Sequence, residues 1–219
     1  MQERLETKKY VFTVEGETEM WYLEWLRDKI NACPDRTYNI AVDPKVQQSP
    51  KKFYKGTTSK LTPKVAHICD VESNEQVHVD KFKNILSEMK EAKTQKKINY
   101  QLGYSNYAFE LWIVLHKKDC SGPLTHRSQY LKHINKIFGE CFEDLDHYKQ
   151  EDNFKRCLSK LTLDDAKKAV KRAEKITEAN KENGMTVLQH KGYTYFKDNP
   201  SLSVHEIIKG MMTECGVYE

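Results

Sequence analysis

Three acids follow apolar runs in a pattern that could do chemistry. Glu15 ends YVFTV at residues 10–14, Asp70 ends KVAHIC at residues 64–69, and Glu72 lies two residues further on. Two or three carboxylates are what Mg²⁺ or Mn²⁺ asks for, with water filling the other octahedral positions. Such a metal carries a phosphodiester oxygen and lowers the pKa of an attacking water. Glu15 could ligate it, or act as general base or acid. Any one of these acids alone reads as an ordinary exposed residue after a strand. Together they say more, because strand tips of a parallel sheet line one crevice.

Other polar residues could join them. Glu19 falls in the first turn of the next helix, where the dipole favours an acid for structural reasons alone. Glu110 and His116 sit in the almost continuously apolar segment YAFELWIVLHKK, residues 107–118. A carboxylate there is costly unless paired, so Glu110 could be functional or structural, and His116 reads as a satisfied core or capping histidine. The segment reads as a buried helix over 107–118, with a strand possible over 111–115, and Asn106 could cap the helix's start. His116, Cys120 and His126 match no zinc-finger spacing. There is no GxxxxGK[ST] or GxSxG, and Glu15-Gly16 falls short of GxGxxG.

The elements needed to position these residues are legible in outline. Residues 17–31 read as a helix with Met20, Trp21, Leu23, Leu26 and Ile30 on one face and Thr18 as its cap. Residues 38–42 read as a strand stopped by Pro44. Residues 64–70 and 98–104 read as core strands, with a helix over 79–94 between them. Strand–helix–strand–strand–helix–strand implies a mostly parallel sheet flanked by helices. Beyond Cys120 the pattern turns helical, over 129–138, 153–161, 164–182 and 204–215, with an extended aromatic stretch at 193–196. The expected division is an α/β catalytic domain over 1–120 and a helical region over 121–219 packed on it.

Composition narrows the class. The 219 residues are 38% hydrophobic and 31% charged, with a net charge of +4. No apolar stretch approaches the ~20 residues of a membrane span. The start MQERLETKKY lacks a signal peptide's apolar core, and six scattered cysteines without CxxC spacing fit reduced thiols, so a cytoplasmic protein is expected. Residues 44–64 carry six lysines and no acid. This is either a solvated insertion or a contact for a nucleic-acid backbone through Lys51, Lys52, Lys55, Lys60 and Lys64.

The motifs Val14-Glu15-Gly16-Glu17-Thr18-Glu19, Asp70-Val71-Glu72, Ser105 to His116 and Asp198 to Glu206, in that order, resemble those of the RloB-like family. That family is similar to Toprim domains, the metal-dependent fold of topoisomerases, primases and OLD-type nucleases. The resemblance implies that Glu15 is the Toprim glutamate and that Asp70 and Glu72 bind metal. It further implies an effector nuclease of a bacterial phage-defence system, partnered by an ABC-type ATPase as in AbiL-type abortive infection. Three departures stand out. Glu72 replaces a shorter acid, residues 105–110 read SNYAFE where the family pattern is SNPCFE, and the strand before Asp70 is short and carries His67. The expectation is a Mg²⁺-dependent nuclease acting on DNA or RNA. The alternative is a non-catalytic Toprim-like module that binds nucleic acid or the ATPase. A separation of Glu15 from Asp70 and Glu72 beyond about 10 Å would leave only the second.

Overall fold

The structure, a computed structural model, describes residues 5–56 and 65–219. Its centre is a four-stranded, all-parallel sheet. The strands are β1 (Thr7–Val14), β2 (Asn39–Val46), β3 (Val65–Val71) and β4 (Tyr100–Asn106), in the order β2-β1-β3-β4. The connections run through α1 (Glu17–Ala32), α2 (Pro50–Gly56) and α3 (Gln76–Lys96). The chain leaves β1 towards one edge and returns on its other side, so β1 and β3 flank the point where strand order reverses. Crevices form at the carboxyl ends of such strands, and Glu15 and Asp70 are both there.

Alternation along the strands divides the core. Phe12, Val14, Ala66 and Ile68 face one layer, built from α1, α4 (Glu110–Leu115), α5 (Tyr130–Phe138), α7 (Glu151–Ser159), α8 (Leu163–Glu182) and α9 (Val204–Glu214). Val11, Val65, Cys69 and Val71 face the other, where α3 presents Phe82, Ile85, Leu86 and Met89. The hairpin of β5 (Val187–His190) and β6 (Tyr193–Phe196) adds Tyr195 to this second layer. A four-residue helix, α6 (Leu145–Tyr148), lies between α5 and α7. The first core runs without a break through residues on both sides of position 120.

Several expectations are corrected. β2 runs through Pro44 to Val46, because an edge strand tolerates a residue with no N–H to give. The lysine-rich stretch contains a helix. Pro50 opens α2, where its missing N–H costs nothing, and Tyr54 is buried against α3. The segment expected as a helix over 107–118 is α-helical only over Glu110–Leu115, every residue of it buried. Tyr107 has a left-handed φ of 67°, which holds the chain out of the helix until past that turn. Asn106 does not cap α4; it ends β4. Gly16, not Thr18, precedes α1. Among the described residues no helix is long and apolar enough to cross a membrane.

Candidate functional site

Glu15 follows directly on β1, where Gly16 lets the chain turn into α1. Its Oε2 accepts a 2.9 Å hydrogen bond from the Asp70 N–H, tying the tips of β1 and β3 together. Its Oε1 accepts no hydrogen bond and lies 3.5 Å from Lys81 Nζ. The same ammonium is 2.5 Å from Glu72 Oε1. Glu15 and Glu72 therefore share one cation, and both lie well inside the 10 Å limit set above. His78 Nε2, 3.6 Å from Glu72 Oε2, adds a second partner on that side.

Deeper in the molecule lies a group the expectation had only in part. Glu15, Glu19 and Glu110 all press electrostatically on Asp70, and Glu110 presses on Glu19; Lys149, just past α6, is placed among them. Burial, then the charges of Glu15, Glu19 and Glu110, holds the Asp70 carboxyl well above the usual range. Burial pushes Glu15 up too, against the Asp70 N–H and Lys81. Glu19 is 5% exposed, folded back over Gly16 with Thr18 Oγ1 donating to its Oε2 at 3.1 Å. Burial, helped by Glu110, pushes its carboxyl up to about 7. Glu72 differs. The hydrogen bond from Lys81 holds it below the usual range, with the charges of Lys81, His78 and Arg127 acting the same way. The structure thus brings Glu15, Glu19, Asp70 and Glu110 together and sets Glu72 at the rim.

Glu110 is 1% exposed, with Oε1 3.0 Å from Lys149 Nζ and Oε2 without a hydrogen-bond partner. Burial alone would lower the Lys149 pKa, but the Glu110 and Asp70 charges raise it. Glu15, Glu19, Asp70, Glu72, Lys81, Arg127 and Lys149 line one pocket of about 320 Å³. A neighbouring pocket of about 470 Å³ shares Glu15 and Lys81 and has Lys52 on its wall. Lys81, Arg127 and Lys149 were not anticipated. Nothing in their sequence surroundings separates them from the rest of the chain's 36 Lys and Arg residues, and only tertiary structure gathers them.

Two anticipated residues have structural work. His116 is fully buried, with Nδ1 2.9 Å from the Trp112 carbonyl and Nε2 3.1 Å from the Tyr22 hydroxyl. Nδ1 therefore carries the proton and Nε2 accepts. Burial lowers its pKa to about 4. Asn106 Nδ2 donates to the carbonyls of Phe196, Lys197 and Asp198, the last at 2.8 Å. Ser201 and Ser203 pair with the end of β4, through Asn106 N to Ser201 O at 2.9 Å and Ser203 Oγ to Leu102 O at 2.8 Å. The motif at 198–206 is thus a clasp on β4. Of the lysines, Lys51 is paired with Glu91 at 3.0 Å, Lys52 lines the second pocket and Lys55 is exposed. Lys60 and Lys64 lie outside the described residues.

The donor set suits a divalent cation, since hard carboxylate oxygens dominate it and Glu15 Oε1 and Glu110 Oε2 lack hydrogen bonds. Its arrangement is looser than its chemistry. Among the described residues no three His, Cys, Asp or Glu side chains are gathered so as to hold a metal ion. Lys81 and Lys149 are interposed among the acids instead.

Fold and site together define an α/β protein with a carboxylate-rich crevice at the switch point of a parallel sheet. The model of the RloB-like protein family matches residues 10–211, and the chain belongs to that family. Comparison with curated proteins and with solved structures gives no match.

Proposed function

We propose that the chain is a Mg²⁺- or Mn²⁺-dependent nuclease that hydrolyses phosphodiester bonds of DNA or RNA. We propose further that it serves as the effector of a bacterial phage-defence system, with an ABC-type ATPase as partner. The observation that supports the activity most is the repulsion of Asp70 by Glu15 on the adjoining strand tip and by Glu19 in the first turn of α1. Such frustration is retained where function needs it. The defence role and the ATPase rest on the resemblance of the four motifs.

Glu15 and Asp70 would hold the cation, with Glu72 at the rim. When bound, the metal supplies charge to a phosphate oxygen and acidifies an attacking water. Glu15 keeps the tips of β1 and β3 in register through the Asp70 N–H. Glu19, with its carboxyl at about 7, is poised to give or take a proton near neutral pH. Lys81 spans Glu15 and Glu72 and must release Glu15 for that carboxylate to turn to a metal. The test is cleavage of a panel of DNA and RNA, tRNA included, in Mg²⁺ or Mn²⁺ by wild type and Glu15→Gln. Wild type cleaves and the variant is at least about 100-fold slower, a loss of about 2.7 kcal/mol in barrier terms. Equal cleavage by both removes Glu15 from the mechanism.

The looser arrangement of the acids favours a second reading, in which the crevice binds nucleic acid or the ATPase without cutting. No heat of Mg²⁺ or Mn²⁺ binding by calorimetry, together with a stable complex with an ATPase encoded nearby, would decide for it.

A further inference from the structure

We propose that Lys149 binds a phosphate group of the substrate, and that Glu110 is kept in the core to hold Lys149 at the wall of the acid pocket. This rests on the nuclease reading above and deepens it, because it brings part of the helical region into the site.

Glu110 opens α4, whose residues are all buried among aromatic and aliphatic neighbours. A lone carboxylate in such a place costs several kcal/mol, and apolar residues often replace a buried ion pair at no loss of stability. The core therefore does not need Glu110. Its ion-pair partner among the described residues is Lys149, at 3.0 Å. The pair has one closed end and one open end: the Glu110 side chain is 1% exposed, the Lys149 side chain 34%. That open end faces the pocket that Glu15, Glu19 and Asp70 also line. An ammonium carries three donors. The bond to Glu110 takes one, leaving others for a ligand that enters the pocket. Anionic substrate cannot approach a group of carboxylates without compensating cations nearby. Lys149 and Arg127 supply that charge, from segments that neither β1 nor β3 belongs to. Lysine meets phosphate as a point charge and needs no fork geometry, so a fixed stem position matters more than orientation. Glu110 fixes it.

The test uses the full chain and a fluorescein-labelled single-stranded 20-mer, with binding read by anisotropy across a salt series, in EDTA and again in Ca²⁺. Lys149→Met is expected to weaken binding about tenfold and to flatten the log Kd against log salt plot by about 0.7, the share of one phosphate contact on a single strand. Glu110→Gln keeps the ammonium but frees it, so affinity falls by less and the slope stays. Lys155→Met, an exposed lysine paired with Glu151, serves as control and leaves both unchanged. Should Lys149→Met not fold, the double variant Lys149→Gln/Glu110→Gln leaves no unpaired buried carboxylate and carries the same expectation. A Lys149 variant that folds and matches wild type in affinity and slope overturns the proposal, as does a wild type that binds no probe. Hydrolysis in Mg²⁺ is scored separately. Lys149-dependent binding without cleavage sinks the nuclease reading alone, and cleavage with Lys149-independent binding sinks this inference alone.

Discussion

His116 and Glu110 stand six residues apart on one apolar segment, and both are almost fully buried. Their surroundings are opposite. The imidazole donates a hydrogen bond to the Trp112 carbonyl and accepts one from the Tyr22 hydroxyl, with the rings of Tyr22, Trp25 and Trp112 packed edge-on around it. Every polar atom is used and none faces a pocket. Glu110 has one oxygen paired and one not, beside like charges that repel it. Burial alone thus does not mark a functional residue. A buried polar group satisfied from all sides holds the fold, and one left in conflict with its neighbours invites a ligand to resolve the conflict.

The sharpest way to break this comparison is Asp70→Asn, which relieves the conflict while keeping shape. Hydrolysis is expected to fall about 1,000-fold, on the order of 4 kcal/mol in the barrier, while the thermal midpoint in EDTA stays level or rises. Measured together, lost activity and lost stability would place Asp70 with His116 as a structural residue.

His116→Ala should do the reverse. It removes a packed ring, two hydrogen bonds and the acceptor of the Tyr22 hydroxyl, for an expected loss of about 2–4 kcal/mol in urea unfolding. Below its transition the variant cleaves at the wild-type rate. A stable variant that no longer cleaves would move His116 into the site.

How much of this was legible in the sequence follows from which interactions are local. The strand-to-acid steps at Glu15 and Asp70 and the amphipathic α1 and α3 are written in short-range periodicity, so both acids and the parallel sheet could be read directly. β2 was cut short at Pro44 because its place at the sheet edge is a tertiary fact. α2 was missed because its helical signal is brief and amid lysines; only the burial of Tyr54 against α3 secures it. Asn106 looked like a helix cap, but its amide reaches carbonyls about ninety residues away. Lys81 and Lys149 were invisible for the same reason: each is an ordinary lysine in its own helix or turn, and the acids that define it come from other elements. Glu72 was legible as an acid two residues after Asp70, but not as the partner of Lys81 and His78.

The comparison also has a pH signature, and Glu19→Gln exposes it. Glu19 has a folded-state pKa of about 7 against an ordinary value near 4.3. Between these pH values the folded protein holds a proton that the unfolded chain has lost, so its contribution is full below about pH 4.3 and is lost as pH rises through about 7. His116 runs the other way. Its folded pKa of about 4 lies below the ordinary 6.5, so its contribution is full above pH 6.5 and is lost as pH falls towards 4. In wild type the two slopes oppose each other between about pH 4.5 and 6.5. Glutamine imitates the protonated acid at every pH and removes one of them. In EDTA, the variant is therefore expected to match wild type near pH 4.5 and to exceed it above pH 7 by on the order of 4 kcal/mol, at about 1.4 kcal/mol per pKa unit. Its loss of stability on acidification should also be the steeper of the two. Urea unfolding at pH 4.5, 6 and 8 reads all three points. A difference that stays constant across them would mean that Glu19 is as well satisfied as His116, and the contrast between the two regions would close.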